Sequence, residues 1–374
     1  MINQEHKFKP DWVSPPGDTI VDLMEERDWS QAEVAQRMGF SPKHLNQLVK
    51  GKVSLTDDAA LRLERVLGST ATFWLSREAK YREQLARLDA TSRYESWVGW
   101  LDQLPLADLK KTGVIPDQRI TKTVKPALVE LLLSFFGVAS PDEWQVRYGG
   151  MQASFRRTRE SQSDVGAIAS WLRLGERRAE NLEAPKYNRA RFEKVLIQIR
   201  ELTVLSPSSF EPEMCRLCTE AGVKLVFVSA IPRSHVSGVA RWLNRHSPLI
   251  QISLYGKSND KFWFTFFHEA AHILLHAGSK VEIYLDDPSS VNQASPEEDE
   301  ANQWAGEMLI SPAYQHELAT LATRSQILEF STMLNIHPGI VVGRLQHDKR
   351  LEYATSLNSL KDSFSFVENG AAAL

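Results

Sequence analysis

The sequence predicts a mainly α-helical protein carrying a small α+β domain toward its C-terminal end, and three observations predict it. Apolar residues recur at helical spacing from 18 to about 88, broken by Gly, Ser and Thr at 28–30, 39–41, 51–56 and 68–70. The same period continues through Trp97, Trp100, Leu101 and Leu104, then 127–136 and 167–177. At 223 the period changes: three short β-rich runs follow, 223–228, 238–242 and 249–254, before helical spacing returns at 262–276 and 296–310. A small sheet set against helices is the architecture this order implies.

The elements group into five stretches. Residues 1–17, polar and ending in Ser14-Pro15-Pro16-Gly17, read as a flexible arm. Residues 18–88 form an all-helical bundle, and 89–185 a helical connector or packing layer without visible chemistry. Residues 186–357 form the α+β domain. It opens with helices at 187–202 and 211–221 and closes with one at 335–351. Residues 358–374, rich in Ser, Gly and Ala, read as a frayed tail.

A length of 374 residues allows two or three units with ample core, and 43% apolar with 24% charged residues is ordinary globular composition. The net charge of −3 excludes a uniformly basic coat, so any nucleic-acid contact must come from a local patch. Residues 1–16 lack the apolar core of a signal peptide, and the densest apolar stretch, 129–139, carries Glu130 and is too short to span a bilayer. A cytoplasmic protein without membrane contact is expected. Cys215 and Cys218 stand as C-x-x-C, but no second pair or histidine lies at ligand spacing. With Met214, Leu217 and Ala221 around them they read as buried thiols.

His268-Glu269-Ala270-Ala271-His272 puts two imidazoles four residues apart, on one face of a helix, where both can hold a single ion. Glu269 beside the first is placed to act as general base on a metal-activated water. A catalytic zinc takes three protein ligands, so one more is needed. The acidic run Glu297-Glu298-Asp299-Glu300 supplies it: Glu298 is the first choice, sharing a face with Asn302, which can steady a ligand imidazole. Glu300, facing with Trp304 and Glu307, is the alternative. The acids also suit a helix N-terminus without any ligand role. His276, eight residues beyond His268, reads as a structural histidine or as one behind the ligands.

In the bundle, Ser30 caps a helix to Met38, with Glu33 as its capping-box partner. Gly39-Phe40-Ser41 turns the chain, and Pro42 opens a second helix to Val49. Helix, Gly-containing turn, helix is the motif whose second member enters a major groove. Between Ser41 and Lys52 stand Lys43, His44, Asn46, Gln47, Lys50 and Lys52 and no acid. The amides suit adenine edges, the lysines phosphates or guanine. With Gln31 and Ser41 they form the candidate DNA-reading set.

The block 262–276, with Glu298-x-x-Ala301-Asn302-x-Trp304-Ala305 and Pro312, resembles the ImmA/IrrE metallopeptidases, over about 190–345. It departs from them in Trp304, where Phe is usual, and in Ala270-Ala271, where Leu-Gly is common. Residues 18–85, with Gln31, Arg37, Asn46-Gln47-Leu48-Val49-Lys50-Gly51 and Phe73-Trp74-Leu75, are similar to XRE-type helix-turn-helix domains of HigA-like antitoxins. These resemblances imply a zincin-like endopeptidase that uses zinc, or else manganese, to cut helix-turn-helix repressors. They also imply a homodimer on double-stranded operator DNA with a toxin or repressor protein as partner or substrate. A binding-only antitoxin or repressor, its metal site structural or sensory, is the alternative; a peptidase whose helical module never meets DNA is the third reading.

Overall fold

Hydroxyl side chains start most of the N-terminal helices. The computed structural model describes residues 14–149, 164–276, 284–286 and 296–366. Most of the arm expected over 1–17, residues 150–163 of the connector and the end of the tail lie outside the described residues. The chain divides into two compact units, 1–98 with 121–127 and 99–120 with 128–374.

In the first unit α1 (Pro16–Glu26) begins at a proline. Then Ser30, Ser41, Thr56 and Thr70 cap α2 (Gln31–Met38), α3 (Pro42–Val49), α4 (Asp57–Leu67) and α5 (Ala71–Ser96), each oxygen accepting a backbone N–H three residues on. Each such cap is worth about 1 kcal/mol. Gly39, at φ 68°, takes the left-handed turn between α2 and α3 that a Cβ would disfavour. Ile20, Val34, Met38, Leu45, Leu48, Leu63 and Trp74 fill the core at helical spacing. The expected capping box at Ser30 is only half formed. The Glu33 carboxylate accepts from Arg37 at 2.7 and 3.1 Å instead, because a guanidinium one turn on offers a charge-assisted pair. No Gly or Pro interrupts 71–98, so α5 runs on past the boundary expected at 88.

The second unit holds α6 (Leu106–Lys111) and most of α7 (Lys125–Phe136), then α8 (Val165–Glu180), α9 (Arg189–Glu201) and α10 (Pro207–Glu220). Its sheet has the order β1-β3-β2-β4, formed by β1 (Lys224–Phe227), β2 (Gly238–Asn244), β3 (Ser247–Ile252) and β4 (Tyr284–Asp286). β1 is parallel to β3, while β2 is antiparallel to both β3 and β4. Strand alternation splits the side chains between two faces. Leu225, Ala240, Ile250 and Ile252 join the core around α11 (Asn259–Leu275), whereas Val226, Val239 and Leu249 meet Ile168, Trp171 and Leu172 of α8. On the α8 face, Arg241 and Gln251 donate to the Leu172 and Trp171 carbonyls at 2.6 and 2.7 Å, and the Trp171 indole donates to Val228 at 2.9 Å. Within the stretch expected as connector or packing layer, α8 is thus a layer on the sheet.

After the sheet come α12 (Pro296–Leu309), α13 (Arg324–Leu334) and α14 (Pro338–His347). Ile340, Val341, Val342 and Leu345 of α14 are buried in the core that surrounds α11. Of the frayed tail expected over 358–374, the described part, 358–366, is anchored instead. Leu360 and Phe364 enter the same core, and backbone bonds Asn259 N–H to Asp362 O (2.9 Å) and Phe364 N–H to Lys257 O (2.6 Å) pin the segment. Two apolar anchors suffice to order a stretch whose average composition is polar.

Candidate metal centre and candidate DNA-reading helix

α11 is apolar on nearly every side: Phe262, Trp263, Phe266, Phe267, Ala270, Ala271, Ile273 and Leu274 are all buried. Set into this surface, His268, Glu269 and His272 are 1%, 0% and 2% exposed. Polar groups at that depth are costly unless something binds them. α12 packs along α11 with Ala301 and Ala305 buried, small residues that permit close approach.

That approach brings Glu298 over the two histidines. His268 Nε2 and His272 Nε2 lie 3.0 Å apart, and Glu298 places Oε2 3.2 Å from the first and Oε1 3.4 Å from the second. Ligands about 2.0–2.1 Å from a tetrahedral zinc stand about 3.3 Å from one another, the edge of the tetrahedron. The donor set, two imidazoles and a carboxylate, therefore fits such an ion in chemistry and in spacing.

Charge agrees with geometry. Burial pulls the His272 pKa below its usual value, which keeps the imidazole neutral with a lone pair to give. For Glu298 burial acts to raise the pKa, but hydrogen bonds and charge interactions with His268 and His272 outweigh it and bring the carboxyl down to about 2.

The structure separates the two acids that the sequence left in competition. Glu300 points elsewhere: its Oε2 lies 3.2 Å from His276 Nε2, and His276 Nδ1 lies 3.1 Å from His272 Nδ1. Asn302, expected to steady a ligand imidazole, is exposed, and among the described residues the side chain found against the outer nitrogen of His272 is His276. The face of α12 that turns inward is centred on Ala301 and Ala305, which leaves position 302 toward solvent.

Sequence reasoning missed Gly238. A Cβ there would stand 2.6 Å from Thr265 Cγ2 and 2.7 Å from Glu269 Oε1, so the first residue of β2 must be glycine for the Glu269 carboxylate to lie where it does. The glycine was visible as a strand boundary; its neighbour 31 positions on was not.

Cys215 and Cys218 lie on α10, half-buried and buried. Burial pushes the Cys215 pKa up to about 11 and that of Cys218 well above the usual range, the opposite of a redox or metal-binding thiol.

In the first unit Leu45 and Leu48 turn α3 inward. Ser41, Lys43, Lys50 and Lys52 are exposed, while Gln31, His44, Asn46 and Gln47 are half-buried. Ser41 Oγ is spent on the His44 N–H, and the His44 ring sits edge-on against Phe40, centroids 4.8 Å apart. Among the described residues no hydrogen bond or ion pair engages the side chains of Lys43, Asn46, Gln47, Lys50 or Lys52, so these donors remain available to a partner.

Comparison with known proteins finds matches to both of these regions. Residues 20–74 match a helix-turn-helix family model, and residues 218–336 match the model of the IrrE N-terminal-like domain, a peptidase family. An uncharacterized HTH-type transcriptional regulator of Escherichia coli (strain K12), YddM, is 36% identical over 61 residues, 16% of this chain and 65% of that relative. The chain thus joins a helix-turn-helix DNA-binding domain to a metallopeptidase-like domain. No helix among the described residues is long and apolar enough to cross a membrane.

Proposed function

We propose that this protein is an antitoxin-like transcriptional regulator of the cytoplasm whose second unit is a zinc-dependent endopeptidase. The observation that carries the reading is the convergence, within 3.0–3.4 Å, of His268 Nε2 and His272 Nε2, buried on α11 beside Glu269, with the Glu298 carboxylate of α12. These three residues would hold the metal; manganese suits the same donors less selectively. When bound, the ion supplies Lewis acidity, polarising a peptide carbonyl and making water a stronger acid.

The chain's own residues do the remainder. Glu269 takes a proton from the attacking water on a carboxylate oxygen and returns it to the leaving amine. Gly238 and Thr265 border that carboxylate and limit where it can stand. The Phe264 ring lies beside that of His268, centroids 6.2 Å apart, and the near-complete burial of His268, Glu269 and His272 strengthens each charge interaction within. In the first unit α3 enters the major groove of operator DNA, Asn46 and Gln47 reading bases while Lys43, Lys50 and Lys52 meet phosphates. A homodimer is the arrangement that matches a two-half-site operator.

The test uses the full chain loaded with zinc or manganese, a defined peptide mixture, and mass spectrometry of new termini. Glu269→Gln is expected to bind metal and shift DNA from its own upstream region like the parent while cutting nothing. Identical cleavage by parent and variant removes the catalytic assignment. A metal-loaded parent that never cuts but still shifts DNA leaves the binding-only regulator.

A further inference from the structure

Three histidines, 268, 272 and 276, stand at four-residue intervals and so run down one face of α11 to its C-terminal cap. The first two converge on Glu298. The third does not: its ring centroid lies 5.2 Å from that of His272, on the side away from the ligand atoms, and its side chain is 8% exposed.

The proton positions along this row are dictated by the ligand role of His272, so the inference rests on the metal-site reading above. An imidazole that gives the Nε2 lone pair to a cation carries its proton on Nδ1. In His272 that nitrogen lies 3.1 Å from His276 Nδ1, which must then accept. An accepting Nδ1 leaves the His276 proton on Nε2, and there Glu300 Oε2 waits at 3.2 Å. The direction of each bond follows from the one before, and the row ends in an anion that can only accept. Glu300, 60% exposed, stands on α12 two residues beyond Glu298, so one helix supplies both the acid over the ligand atoms and the acid behind them.

We propose that His276 and Glu300 are positioning residues that hold the His272 imidazole in the tautomer and orientation a divalent cation requires. Partners of this kind behind a ligand histidine fix its ring and raise its basicity. Behind His272 the row sets an imidazole and then a carboxylate where a single carboxylate would ordinarily stand, because His276 occupies the space next to His272 Nδ1 and relays the bond outward.

The experiment measures zinc affinity of the full-length protein by competition with a chromophoric chelator, and the visible spectrum of the cobalt-substituted protein. His276→Phe keeps the volume but has no acceptor, and it is expected to weaken zinc roughly ten- to hundredfold and to alter the cobalt bands. His276→Asn places a side-chain oxygen near the old Nδ1 position and is expected to recover much of the loss. Glu300→Ala is expected to lose severalfold and Glu300→Gln less, since its amide oxygen still accepts. Parent-like affinity and spectrum in His276→Phe, with a defect confined to His276→Asn, means that the residue merely fills space and overturns the proposal. His272→Ala separates the two levels: a parent that binds no more zinc than this variant overturns the metal site itself and this inference with it. Tight binding by the parent, lost in His272→Ala and unchanged in His276→Phe, overturns this inference alone.

Discussion

α3 and α11 both carry the polar residues of a candidate site, and they carry them in opposite ways. On α3 two leucines anchor one face, and the amides and lysines of the other are exposed or half-buried and uncommitted to any neighbour among the described residues. On α11 the polar groups are sunk to 2% exposure or less in an apolar frame, each against another polar group or a glycine. A surface that reads a partner gains by leaving its donors solvated until the partner arrives, since they are then satisfied in both states. A centre that holds a cation gains by fixing its donors beforehand, because a preformed set of ligands loses little freedom on binding. The first kind of site is written in one short segment; the second is assembled from segments far apart in the chain.

The largest effect that could break this contrast is expected at Glu298. Removing it as Glu298→Ala takes away a third of the donor set, and zinc measured by elemental analysis after gel filtration against a chelator is expected to fall from stoichiometric to near nothing. Mobility shifts of operator DNA by the same protein are expected to be unchanged. Retained zinc in this variant would mean that the ligands converge elsewhere.

Next in size is Gly238→Ala. One methyl group would have to share space with Thr265 Cγ2 and the Glu269 carboxylate, so one of these buried side chains must shift. Overpacking of this kind costs about 1–3 kcal/mol, and a displaced general base should lower turnover by tenfold or more. Zinc content and DNA affinity are expected to stay as in the parent. A variant with parental turnover would show that Glu269 does not need its observed place.

These two residues also mark how far the sequence could be read. His268, Glu269 and His272 are legible because the helical period alone puts the histidines on one face, and the α2–α3 pair is legible because caps and a turn glycine are local signals. Glu298 was legible as one of four acids, and only the packing of α12 on α11 separates it from Glu300. The partnership of Gly238 with Glu269 spans 31 residues and depends on sheet register, which no local pattern encodes. β4 is three residues long, too short for a period to declare itself, and the ordered segment at Leu360 and Phe364 was masked by the polar residues between its anchors.

The smallest effect is the one expected on α3, and it tests whether its side chains do two different jobs. Lys43→Ala removes one charge from an exposed position. Loss of a single phosphate contact should weaken every DNA sequence alike and reduce the slope of log affinity against log salt by about one. Gln47→Ala removes no charge, so its salt slope should match the parent. Its loss, about 1–3 kcal/mol or roughly ten- to hundredfold, should appear on operator DNA and vanish on unrelated DNA. Neither change should alter zinc content, because no ligand lies in that unit. A Gln47→Ala protein that loses affinity equally for both DNAs would reduce α3 to an electrostatic anchor, and the bases would then be read by some other element.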